Sequence, residues 1–252
     1  MEQGMLSRVL APYTWRARIR PVLIAALPLA LPPALLVPDW TAARGVWVLV
    51  LVCGLPLLLG QFSRSRGRRL EPGLFESWGG KPSVQLLRRR GPIEPARLAY
   101  LHTRIEQIAG PALRMPSAQE ELSDPGHADA VYEAAGTVLR VRARALPGAE
   151  LVAEENGEYG FRRNSLGLRP VALAACAAGL LAVLLRVTLG WPPADTADAV
   201  VSAVLVLTEL ALPVFWIRTV RAAWVEEAAW TYAHRLIETA VLPDPDAARE
   251  GS

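Results

Sequence analysis

Apolar residues gather in four long runs, at 21–37, 45–62, 170–189 and 197–217, with polar residues between and beyond them. Each run is near the roughly 20 residues that a helix needs to cross a ~30 Å hydrocarbon core, so the pattern predicts four spans in two pairs. The first run contains Pro28, Pro32 and Pro33. Each proline removes a backbone donor, which predicts a kinked helix held by its neighbours or a shallow re-entrant segment.

Between the two pairs the period changes. Residues 74–90 read as a glycine turn opening a short helix, with Pro82 at its first position. Residues 94–109 repeat Leu98, Leu101, Ile105 and Ile108 at helical spacing, and Pro111 follows as a stop. After a proline-punctuated stretch, residues 127–145 place Ala130, Ala134, Val138 and Val141 at steps of three and four, predicting a second long helix with those residues on its apolar face. Residues 150–155 fit a short strand or a loop equally well. Beyond the fourth run, 218–242 is helical in pattern, with Trp224, Ala228, Tyr232 and Leu236 along one face. The tail from Pro243 is proline-rich and acidic and reads as disordered.

The expected fold is therefore an all-α integral membrane protein, with four transmembrane helices in two pairs and a mainly helical cytosolic module between spans two and three. The expected divisions are 1–63 for the N-terminus and first helix pair, 64–169 for the cytosolic module, 170–217 for the second pair, and 218–252 for an amphipathic helix and tail.

Composition supports the membrane class: 52% of the 252 residues are apolar and the mean hydropathy is +0.24, high for a soluble domain of this length. Charge then orients the chain. Arg8, Arg16, Arg18 and Arg20 precede the first run, Arg64, Arg66, Arg68 and Arg69 follow the second, and Arg162, Arg163, Arg169, Arg218 and Arg221 flank the ends of the third and fourth. By the positive-inside rule both termini belong in the cytosol. Trp15, Trp40, Trp47, Trp191 and Trp216 fall at the inferred interfaces, where indoles concentrate. The proline-rich first run lacks a small-residue cleavage site, so no removed leader is expected. Abundant alanine and arginine, against the single lysine Lys81, fit a GC-rich bacterial genome and hence a bacterial inner membrane. Cys53 and Cys176 both lie inside apolar runs, which supports neither a disulfide framework nor a thiolate metal site.

The candidate chemistry is sparse. Gly79, Gly80 and Lys81 at a helix start resemble part of a phosphate loop, but Phe75 occupies the place of its first glycine and Pro82 that of its hydroxyl residue. A plainer anion or ligand contact, made by Gly79, Gly80, Lys81, Arg88, Arg162 and Arg163, stays open beside ordinary contact with lipid phosphates. His102 with Glu106, and Asp124 with His127 and Asp129, are two polar clusters, yet neither closes a metal site, and no Ser-His-Asp nucleophile motif is present. No catalytic residue, metal or cofactor is assigned.

Two features remain. The junction 154–170 packs Asn156, Tyr159, Phe161 and Asn164 among its arginines, and the positive-inside rule does not require those four. Tyr159 and Asn164 are expected to dock onto the turn formed by Trp78, Gly79 and Gly80. Glu209 lies near the middle of the fourth run, where a charge costs about 3 kcal/mol even on insertion scales. It is either a neutral group hydrogen-bonded at a helix contact or part of an ion or proton path. Arg186 lies too near the other end of the bundle to pair with it, and is expected to reach outward to Asp195 or Asp198. Ala175 with Gly179, and Ala178 with Ala182, are small-xxx-small pairs that favour close helix packing within the chain or in a homo-oligomer.

The leading functional expectation is a non-enzymatic sensor or effector. Its cytosolic module would bind an anionic small molecule or a protein and signal to the membrane bundle, with pore opening as one form of output. The alternatives are an interfacial enzyme acting on a lipid or isoprenoid phosphate, with His102 or Asp124 as acid–base group, and a scaffold subunit of a membrane complex. The expected partners include the lipid bilayer and exclude nucleic acid.

Overall fold

The computed structural model describes residues 15–36, 55–189 and 195–243, and within them every regular element is a helix. A π-helical turn at Trp15–Ile19 leads into α1 (Arg20–Leu36). The next helices are α2 (Leu55–Ser77), α3 (Pro82–Leu87), α4 (Pro95–Ala109), α5 (Ala118–Ser123) and α6 (Pro125–Ala143). The chain continues through α7 (Glu150–Thr188), α8 (Thr196–Arg218) and α9 (Ala222–Glu238). Two compact units result: residues 1–71 with 160–225, and residues 72–159 with 226–252.

One helix, α7, is long and apolar enough to cross a membrane. A second candidate exists if Ser202–Arg218 and Ala222–Val241, bent by 67° at the break between them, form one span. The described helices thus supply one or two candidate spans where the hydropathy pattern predicts four. The predicted first span corresponds to the 17 residues of α1, and most of the second, with Cys53, Trp40 and Trp47, lies outside the described residues, as do Trp191 and most of the tail.

The second unit is built by local rules. Pro82 starts α3 and Pro95 starts α4, each at a position whose N–H has no helical partner. The Glu94 carboxylate accepts from the amides of Ala96 and Arg97, which holds its pKa below the usual range. Short α5, inside the stretch read as proline-punctuated, is started by a capping box. Ser117 accepts from the Glu120 amide, Glu120 accepts from the Ser117 amide, and these bonds together with Arg114 pull the Glu120 carboxyl down to about 2. Asp124 caps α6 by accepting from His127 N–H at 2.9 Å.

The core of this unit includes Leu86, Leu87, Leu101, Ile105, Tyr132, Leu139 and Leu236. That corrects the predicted face of α6: Ala128, Tyr132, Ala135 and Leu139 are buried, whereas Val141 is 61% exposed. Both rows have helical period, and the inward one is chosen by the larger residues, which remove more apolar surface from water.

In the first unit, Val22, Ala25, Leu168, Ala172, Cys176, Leu212, Trp216 and Val220 pack together. Trp216 is fully buried, so its expected place at a lipid interface is corrected to a core position. Outward, α7 and α8 show Leu181, Leu184, Leu185, Val187, Val200, Val204, Leu207 and Val214, all more than half exposed or close to it. Residues 150–155 and the whole junction are helical, as parts of unbroken α7.

Candidate functional site

The junction is a helix face used for packing. Gly167 of α7 lies against the backbone of Gly67 in α2, where a Cβ would come within 2.7 Å of the Gly67 nitrogen and 3.0 Å of its Cα. Glycine on both helices permits that approach. The neighbouring polar residues fasten the crossing. Buried Arg163 pairs with Glu71 at 2.5 Å, and Asn164, 1% exposed, donates from Nδ2 to the Ala17 carbonyl at 2.7 Å while accepting from Arg163 at 3.1 Å. Next to it, Arg20 lies over Phe161, Phe161 meets Trp224 edge-on, and Arg162 lies over Trp224 at 5.1 Å while donating to its carbonyl at 3.0 Å.

Asn164 is held by Ala17 and Arg163, and Tyr159 stacks on Tyr232 with centroids 6.3 Å apart. Asn156 is half-buried on the same helix. The proposed anion-binding groups have protein partners. The Gly79 and Gly80 amides donate to Glu76 and Phe75 carbonyls at the end of α2, closing it with two positive-φ glycines. Lys81 pairs with Glu133 at 2.9 Å, and Arg88 holds both oxygens of Asp129, at 2.8 and 2.6 Å, which raises the Arg88 pKa. Groups neutralised in this way do not form an open phosphate cradle.

The acid–base candidates are also structural. His102 is buried and donates from Nε2 to the Leu87 carbonyl at 2.9 Å. Burial pushes its pKa down, so the ring is neutral and links α4 to α3. Glu106 accepts from the Met115 amide at 2.6 Å. Among the described residues, no group of three or more His, Cys, Asp or Glu side chains is placed to hold a metal ion.

Glu209 is different. It is fully buried, and neither carboxyl oxygen has a hydrogen-bond partner among the described residues. Its Oε2 and the Pro28 carbonyl oxygen both come within 2.5 Å of the point where a Cβ on Gly179 would stand, so the two oxygens are at most 5.0 Å apart. One side chain of α8 therefore meets a backbone oxygen of α1 across a glycine of α7. The chain supplies this geometry twice over: Gly179 leaves the space, and Pro32, four residues after Pro28, has no N–H to give the Pro28 carbonyl. Arg186 donates to Ser202 Oγ at 3.4 Å.

A second site escaped the sequence reading. In the other unit a cavity of about 190 Å³ lies between α4 and α9, lined by Leu101, Ile237 and Val241 on its aliphatic side and by Arg97, His234 and Glu238 on its polar side. Arg97 and His234 sit on the outer faces of two separate helices, so no local motif signals them. Comparison with protein families, characterised proteins and solved structures finds no match to the chain, and the site geometry alone carries the functional reading.

Proposed function

We propose that the chain is a four-span bacterial inner-membrane protein with cytosolic termini, acting as a non-enzymatic sensor or effector. In this reading the unit of residues 72–159 and 226–252 is the cytosolic module, the other unit is the membrane bundle, and a small anionic ligand occupies the cavity beside Arg97 and His234. The observation that carries it is the outward belt of Leu181, Leu184, Leu185, Val204, Leu207 and Val214 on α7 and α8. An aliphatic surface this continuous is stable against lipid and costly against water. The sequence's acid–base candidates His102, Glu106 and Asp124 each hold a backbone group, which favours binding over catalysis at those residues. Two helices carry the chain from one unit to the other without a break, at 159/160 in α7 and at 225/226 in α9.

The test is expression of the full chain and of Arg97→Glu in bacterial cells, following membrane potential and potassium release. The full chain should alter the potential, and the charge reversal should change the size or onset of that response. An unaltered potential under every inducing condition would remove the effector reading and leave a scaffold.

A further inference from the structure

We propose that Glu209 is a proton-binding site, and that its neutral carboxyl group closes the crossing of α1, α7 and α8 by donating a hydrogen bond to the Pro28 carbonyl. Three observations carry this. Both carboxyl oxygens are buried without a hydrogen-bond partner among the described residues, an expensive state for a carboxylate and a tolerable one for an acid group that can donate. The Pro28 carbonyl oxygen shares with Oε2 the space beside Gly179, and it is an acceptor already deprived of its helical donor by Pro32. Two acceptors facing each other repel, whereas one proton between them satisfies both. Finally, Gly179 holds the two oxygens in one small space, where even a methyl group would collide with each.

Among the described residues, no ionic partner competes with this assignment. From α1, no titratable residue follows Arg20. From α7, the Cys176 thiol lies within electrostatic range, and Arg186 is engaged with Ser202. A dehydrated metal cation would need more oxygen ligands than the two carboxyl oxygens and one carbonyl gathered here. The equilibrium is simple: the carboxylate takes one proton from water to give the acid, and returns it on opening. With the proton bound the three helices are latched. Without it, a buried charge faces a carbonyl oxygen, and the crossing must loosen or admit water. The inference goes beyond the sensor reading and does not require the Arg97 cavity.

The test uses the intact chain in lipid nanodiscs, labelled with carbon-13 at its glutamate side-chain carboxyls, and infrared spectroscopy between pH 5 and 9. The wild type should show an isotope-sensitive neutral carboxyl band that persists at pH 7, disappears in Glu209→Gln, and moves toward the position of a free acid group in Pro32→Ala, which restores an N–H to compete for the Pro28 carbonyl. The wild-type band stands as evidence even if a variant fails to fold. A carboxyl fully ionised at pH 7, a band that Pro32→Ala leaves in place in a folded protein, or a band displaced by sodium at constant pH would overturn the proposal. A latched proton without any effect of the chain on membrane potential would discard the effector function and leave the site standing.

Discussion

The two units solve opposite problems. In the unit of residues 72–159 and 226–252, large apolar side chains are inside and most polar groups at helix ends have partners: Glu94, Ser117 and Asp124 cap helices, and Arg142 donates to the carbonyls of Thr239 and Leu242. In the other unit, leucine and valine cover the outside of α7 and α8, while Ser63, Ser165, Glu209 and the Trp216 indole nitrogen are buried without hydrogen-bond partners among the described residues. The contrast teaches that burial carries different information in each. In the first case an apolar residue inside is the driving force. In the second, where the outside is already apolar, close backbone approach at small residues and a few polar contacts must hold the helices together.

The largest effect should come from the core of the unit of residues 72–159 and 226–252. Leu139 is completely buried and Val141, two residues on, is exposed. Leu139→Ala should cost about 3 kcal/mol through lost burial and a residual cavity, and Val141→Ala less than about 0.5 kcal/mol. Denaturant midpoints of the purified protein measure both, and equal losses would restore the other face of α6. Slightly smaller is the effect that breaks the comparison itself. Leu207, 65% exposed on α8, faces lipid in this account, so Leu207→Arg should cost on the order of 2.5 kcal/mol of insertion, whereas Val141→Arg should be neutral. If both arginines are equally tolerated in membrane fractionation, the belt faces water.

The glycines give a finer test. At Gly167 an added Cβ meets backbone of α2, which cannot give way as a flexible side chain would, whereas at Gly73, also helical, nothing lies within 4 Å. Gly167→Ala should destabilise the protein by about 2 kcal/mol through overpacking, seen as a lower thermal midpoint. Gly73→Ala should stabilise by about 0.5 to 1 kcal/mol through the better helix propensity of alanine.

These positions also show what was legible beforehand. Proline and glycine punctuation located α3, α4 and the end of α2, because those signals act on the local backbone. Residues 150–155, too short a run to tell strand from loop, belong to what is one 39-residue helix. Gly167 is required by a neighbour 100 positions away, which no local rule records. The face of α6 was misread because alanine and valine fill both candidate rows, and only the three-dimensional surroundings of Tyr132 and Leu139 distinguish them. Glu209 was visible as an anomaly in an apolar run. Its counterpart was not, since the Pro28 carbonyl is a backbone atom and its availability depends on how α1 and α7 cross. Arg88 and Arg163 looked like free cations because their carboxylates, Asp129 and Glu71, lie 41 and 92 residues away.

The mildest prediction concerns acid, and it separates two kinds of titrating group within the unit of residues 72–159 and 226–252. His102 is held neutral by burial, with its pKa below the ordinary value of 6.5. The unfolded chain therefore takes up a proton near pH 6.5 that the folded state resists. Stability from this residue is complete above about pH 6.5 and declines as pH falls from there toward the lower folded pKa. The lowered carboxyls of Glu94, Glu120 and Glu133 act in a different window. Their ordinary value is 4.5, so their contribution is complete above it and declines only below. Between about pH 6.5 and 4.5 the histidine is thus isolated from these carboxylates. Amide protection factors of residues 95–109 in the intact protein, referred to the intrinsic exchange rate at each pH, should fall as pH drops across that interval. His102→Gln, which keeps a donor for the Leu87 carbonyl without a titrating ring, should flatten the dependence. A variant whose exchange keeps the wild-type slope would locate the acid sensitivity outside the α3–α4 contact.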